Sequence, residues 1–260
     1  MPLQIAFKKQ IESSEKVQII ATTTGIPTNT NRLVIYPIFV PRASPGGSLS
    51  FPGTAAGYLS IANSSDFQFG TGDFTVEMFL YQTGSISYPR VFSMGYYSNA
   101  TFALSIEAGS FILWIGPTQS GAKVIGSVNL FNAWNHVAIT RAGSSVRVFI
   151  NGTQLGTTLT SSYNFADASN PLTIGIDPNP ILDANTSLSG YLTNFNWVKG
   201  TALYTANFTK PTAPLTPNAN SKLLLLATTA GTLVADSSGT GKTVTNNGNN
   251  VTFSALTPFS

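Results

Sequence analysis

The sequence predicts an all-β protein built as a two-layer antiparallel sandwich, and three observations carry that prediction. The first is the stretch WNHVAITRAGSSVRVFINGTQLG at residues 134–156. Val137 and Ile139 alternate with polar or small neighbours, and Val146, Val148 and Ile150 repeat the pattern after an Ala142-Gly143-Ser144 turn. Asn151-Gly152 follows, a pair that tolerates the positive φ of a type I′ turn, so this stretch reads as a three-stranded meander. The second is the recurrence of further strand-like runs at about 8–12 residue spacing. The third is the near absence of helical periodicity. A meander this apolar must bury one face against a second layer.

Residues 1–45 read differently from the remainder. Residues 4–10 and 17–22 are strand candidates, and residues 32–40 form an apolar run broken by Pro37, which suits an edge strand or extended segment. Pro41, Pro45, Gly46 and Gly47 make a linker. Two readings stand for this arm: a strand pair laid on the main domain, or an anchor that docks on another subunit. Lys8, Lys9, Lys16, Arg32 and Arg42 face only Glu12 and Glu15 here, so the arm holds the whole net charge of +3 and the rest of the chain is neutral. These five basic residues are the candidate anchoring contacts.

Residues 46–260 form the predicted main domain. Residues 48–82 hold three strand candidates; in the last of them Phe74, Val76, Met78 and Leu80 share one face, and Asp73, Thr75, Glu77 and Phe79 the other. Further strands are expected at residues 90–94, 101–107, 111–115 and 123–128, then at 172–176 and 188–197 after the meander. Residues 201–204 offer a short helical turn. Three prolines precede the apolar run Leu223–Leu226, and residues 243–253 read as a hairpin; both are expected to close the sandwich edge.

Composition excludes several classes. Charged residues are 9% of the 260, against about 25% in ordinary globular domains. The Ser-, Thr-, Asn- and Gly-rich surface suits packing against neighbours or polar sugars, and equally a plain solvated β-surface. No basic stripe marks the main domain, which argues against nucleic acid. Cysteine is absent, so there is no disulfide and no Cys-based zinc site. No apolar run approaches the ~18 residues of a membrane span, and the N-terminus lacks a signal-peptide core. The chain is therefore expected to be made and folded in a cytoplasm, with no membrane partner.

Residues 48–81, then 134–156, then LTIGID and LSGYLTNFNWVKGTALY (residues 172–177 and 188–204) resemble the concanavalin A-like lectin/glucanase superfamily, in its laminin-G/pentraxin-like branch. The resemblance implies a jelly roll of two antiparallel sheets with an N-terminal extension. The tail from residue 207 is similar to tails found with this domain on phage and large-virus structural proteins. That likeness implies a non-enzymatic virion structural protein, a capsid or tail decoration, with capsid or tail partners, homo-oligomeric assembly and a place on the virion surface. A lectin or adhesin that binds surface glycans is the alternative.

The superfamily's glucanases carry a Glu-x-Asp-x-x-Glu strand motif that is missing here. Glycosidases need two carboxylates about 5–9.5 Å apart; Asp73 and Glu77 share a strand face but lie roughly 13 Å apart at about 3.3 Å per residue. Glu107 is the cross-strand alternative. His136 is the single histidine, within the meander, and a packing role is expected for it. No catalytic residue and no obligatory cofactor is therefore assigned. The resemblance makes calcium the one metal to weigh, with Asp177 and Asp183, in an oxygen-rich loop, as candidate ligands; Asp and Asn also make turns unaided. GTGKT at residues 239–243 lacks the full phosphate-loop pattern. For glycan contact the candidates are Tyr88, Tyr96, Tyr97 and Trp114, set against the core role that most sandwich aromatics have.

Overall fold

The computed structural model describes residues 6–8, 18–20, 46–84, 87–95, 102–116, 121–166, 169–178 and 184–259. The chain divides into two compact units, Met1–Ser44 and Pro45–Ser260. In the first, β1 (Ala6–Lys8) and β2 (Gln18–Ile20) pair antiparallel. The apolar run at 32–40 lies outside the described residues, as do Lys9, Lys16, Arg32 and Arg42.

The second unit is a sandwich of two antiparallel sheets. One sheet has eight strands: β3 (Ser48–Pro52), β5 (Phe74–Gln82), β10 (Asn135–Ala142), β11 (Ser145–Ile150), β12 (Thr153–Thr160), β14 (Ser189–Lys199), β15 (Ser221–Leu225) and β17 (Thr252–Ser254). Its order is β12-β11-β10-β5-β14-β3-β17, with β15 beside the C-terminal half of β14. The other has seven: β4 (Tyr58–Ile61), β6 (Arg90–Met94), β7 (Phe102–Glu107), β8 (Ser110–Ile115), β9 (Ala122–Ser127), β13 (Leu172–Ile174) and β16 (Val244–Asn247). Their order is β16-β4-β13-β6-β7-β8-β9.

The alternation read from the sequence fills the space between the sheets. Phe74, Val76, Met78 and Leu80 are fully buried there, with Val137, Ile139, Val146 and Val148 beside them. Aromatic rings dominate one part of this core: Phe69 stacks on Phe74 at 4.2 Å and on Trp197 at 4.6 Å. Such pairs add to area burial because their quadrupoles are complementary. The meander forms as predicted, and Asn151 and Gly152 take φ of 52° and 83° in its second turn.

Two expectations are corrected. Residues 243–253 are not a hairpin: β16 pairs with β4 in the seven-stranded sheet, and β17 with β3 in the other. The chain crosses between layers, so one segment closes an edge of each sheet. Residues 201–204 form no helical turn; they begin an irregular strap. Its backbone is tied to β-strand side chains instead, by Thr75 Oγ1 to Thr201 O and Thr140 Oγ1 to Tyr204 O.

Candidate functional site

The two faces of the eight-stranded sheet decide where a site can form. The inner face is core. On the outer face, Thr75, Glu77 and Phe79 of β5 are all buried, although an outward alternation normally means exposure. The strap covers them. Glu77 accepts hydrogen bonds from Tyr204 Oη (2.8 Å) and Asn196 Nδ2 (3.0 Å), and its Oε2 lies 3.2 Å from His136 Nε2. Tyr204 and Phe208 stack at 3.6 Å, and both rings pack against His136. Burial and the Glu77 charge together push the Tyr204 phenol well above its ordinary value. His136 is wholly enclosed, in keeping with the packing role expected of it.

Farther along, the C-terminal segment crosses the same face, with Leu256 O accepting from Ser48 Oγ and Phe259 packed on Phe79. One step nearer the end of β5 the next outward row opens. Tyr81 and Tyr191 sit opposite each other on β5 and β14, and Ser50 and Thr252 continue the row across β3 and β17. Trp134, just before β10, meets Tyr81 at 5.6 Å, and Tyr191 meets it at 5.7 Å. All three aromatics are half-buried.

A cleft of about 520 Å³ opens at this same end, between the sheets. Gln82 and Phe131 line one wall; Ile106, the Ala108-Gly109 turn, Ser127 and Asn129 line the other. The volume falls within the range typical of small-ligand sites. No lining side chain among the described residues carries a charge. Backbone bonds Gln82 N to Leu130 O and Asn132 N to Gln82 O fix the wall. The Gln82 amide donates through Nε2 to Gly84 O (3.3 Å), while its buried Oε1 accepts nothing among the described residues. Leaving such an acceptor unpaired costs about 1–3 kcal/mol; the oxygen is sealed from solvent, and the broad terminal torsion of Gln is what would turn it into the cleft.

The sequence-derived candidates are scattered rather than gathered. Tyr88 is 53% exposed in the loop after β5. Tyr96, Tyr97 and Asp183 lie outside the described residues. Trp114 is corrected as a stacking surface: it is 4% exposed, the Arg90 guanidinium lies 4.5 Å over its ring, and its Nε1 donates to Ser105 Oγ. Asp177 is corrected as an open loop ligand for calcium, because it is buried 3.6 Å from Arg90 Nε, beside the Arg90–Glu107 pair at 2.9 Å. Among the described residues no three His, Cys, Asp or Glu side chains cluster as a metal site would need. The 239–243 loop is wrapped around Asp236, whose carboxylate accepts from Ser238 N, Thr240 Oγ1 and Lys242 N, so it holds its own anion and not a phosphate. Tyr81, Tyr191, Trp134, Gln82 and Phe131 were not singled out from sequence. Only the outward parity of Tyr81 with Thr75, Glu77 and Phe79 hinted at one of them.

Fold and cleft define a lectin-like sandwich. The family comparison agrees: residues 52–204 match the laminin G-type model of the concanavalin A-like lectin/glucanases superfamily, and the chain belongs to that superfamily. Among solved structures it is similar to a candidate carbohydrate binding protein of Bacteroides ovatus, with TM-score 0.61, 15% identity and coverage of 83% of this chain and 61% of that one. It is also similar to the heptameric SAP-like pentraxin of Limulus polyphemus (TM-score 0.48, 18% identity, 62% and 79% covered). A third likeness is to mouse laminin alpha1 domains LG4-5 (TM-score 0.44, 13% identity, 64% and 46% covered). The chain thus spans about three fifths of the Bacteroides ovatus protein's length. At these identities the likeness establishes the shared fold alone. No curated protein matches the chain.

Proposed function

We propose that this protein is a non-catalytic carbohydrate-binding module that takes a sugar unit in the cleft at the end of β5. The observation that carries this reading is the uncharged cleft itself, with an aromatic side chain, Phe131, on one wall and the amide of Gln82 unpaired at its oxygen. A pyranose offers what such a site lacks, hydroxyls for the amide and a C–H face for the ring. The carboxylates support the non-catalytic part. Glu77 lies sealed beneath the strap in one sheet, and Glu107 is tied to Arg90 in the other. A glycan array on the full-length protein, followed by calorimetric titration, tests the proposal. Gln82→Leu and Phe131→Ala should each weaken binding about tenfold or more, the equivalent of about 1.4 kcal/mol. Release of reducing sugar, or a glycan affinity untouched by both changes, would sink it.

A second reading places the same domain on a virion surface as a capsid or tail decoration, held there and oligomerised through residues 1–44. The separation of those residues as a unit of their own, with the chain's excess positive charge, favours it. Light scattering and particle binding, compared between the full chain and one starting at Gly46, test it. A folded monomer that loses particle binding supports an anchor. Unchanged assembly and binding refute one.

A further inference from the structure

We propose that the open row Trp134, Tyr81, Tyr191 is a sugar track that continues the cleft, and that the ligand is a soluble, neutral oligosaccharide chain rather than a single sugar. This rests on the reading of the cleft as a sugar site. Continuity comes from the backbone. Tyr81 and Gln82 are consecutive on β5 and point to opposite faces of the sheet, so a chain leaving the cleft passes round the end of β5 onto the row. On the other side Phe131 lines the cleft and Trp134, three residues on, begins the row.

The chemistry of the row specifies the occupant. Three half-buried aromatics keep exposed ring surface, and Ser50 and Thr252 extend the row with hydroxyls across β3 and β17. The tyrosines join an apolar body to a polar tip, which matches a sugar's C–H faces and hydroxyl rims, while Trp134, whose Nε1 is buried, offers ring surface alone. None of the row or cleft side chains named is charged, so a sialic or uronic acid carboxylate would be desolvated without a cation to receive it. Neutral units incur no such cost. The rings are also inclined, Tyr81 at 67° to Trp134 and 73° to Tyr191. A stepped surface of this kind cannot lie flush on a flat crystalline chain. It accommodates a chain that turns from one unit to the next.

The experiment titrates the full-length protein with malto- and laminari-oligosaccharides of increasing length, starting from glucose, and with sialyllactose as the charged probe. Affinity should rise at least about tenfold from the single sugar to the longer chains, equivalent to about 1.4 kcal/mol. Tyr191→Ala should abolish that rise and leave glucose binding as it was. Trp197 and Trp114 are buried, so half-buried Trp134 is the reporter, and its emission should shift with the long chains but not with glucose. Should Tyr191→Ala lose native melting behaviour, Tyr191→Ser and Tyr81→Ser give the same test. Glucose binding with no length dependence, or a length dependence that survives these changes, overturns the track and leaves the cleft reading standing. Preference for sialyllactose overturns neutrality. Absence of binding to every probe defeats the cleft reading and the track together.

Discussion

Two parts of one sheet face, separated by a single outward row, behave in opposite ways. Under the strap, Glu77 gathers Tyr204, Asn196 and His136 into a closed network, in which His136 Nδ1 and Asn196 Oδ1 are left without a partner among the described residues. One step beyond Phe79 and the C-terminal segment, Tyr81 and Tyr191 remain half-buried, and Gln82, on the opposite face of β5, lines the cleft. The same strands carry both, so strand pattern does not distinguish a sealed polar cluster from a recognition surface. What distinguishes them is where the irregular segments cross. A buried charge is tolerable only with its partners in place, and the strap brings Tyr204 to complete Glu77's set.

If that contrast is right, damage to the sealed part should appear as lost stability and damage to the open part as lost binding. The largest effect is expected for Glu77→Ala, which strands Tyr204 Oη, Asn196 Nδ2 and His136 in a dry site. Each stranded buried donor costs about 1–3 kcal/mol, so about 3–5 kcal/mol should go in all, read by urea denaturation. Tyr204→Phe removes one hydrogen bond to a charged acceptor and should cost about 1.5–3 kcal/mol; an effect near zero would mean the strap is held by packing alone. Tyr191→Ala lies in the open row, where the half-buried ring strands no polar partner, and should cost no more than about 1 kcal/mol, the centre of the range for point changes. A loss as large as that of Glu77→Ala would erase the distinction between the two parts.

The smallest effect expected is in acid. Burial pushes the Asp236 carboxyl up, but hydrogen bonds from Lys242 N, from Ser238 and from Leu224 N outweigh it and hold the pKa below its ordinary 3.8. A depressed folded pKa contributes stability that is whole above the unfolded value and disappears as pH falls through the folded one. Melting temperature should therefore fall below about pH 4, and Asp236→Asn should flatten that acid limb. A variant that melts with the wild-type pH profile would show that the 239–243 loop does not depend on the charge.

Much of the fold was legible because it rests on local, periodic signals. The meander needed only the alternation of Val137, Ile139, Val146 and Val148 and the φ tolerance of Asn151-Gly152, which are properties of neighbouring residues. The sandwich followed from the need to bury the resulting apolar faces. The crossing at residues 243–253 was not legible, because asparagine-rich turns look alike whether the flanking strands pair together or with different sheets. Trp114 and Asp177 looked like surface groups in sequence. Both are buried around Arg90, a residue 24 positions from the first and 87 from the second along the chain.

The open row shows the same division. Tyr81 pointing outward was fixed by the parity of β5, as it was for Glu77, but parity says only which side of a sheet a residue takes. That Tyr191 stands opposite Tyr81, that Trp134 closes against it, and that the strap and C-terminal segment stop short of them depend on strand register and on contacts between residues 53 and 110 positions apart. Sequence alone thus determined the sandwich and its apolar faces, because short-range alternation and turn chemistry act within a few residues. Tertiary structure decided which outward residues are sealed and which stay open, because coverage is set by long-range packing that no local pattern encodes.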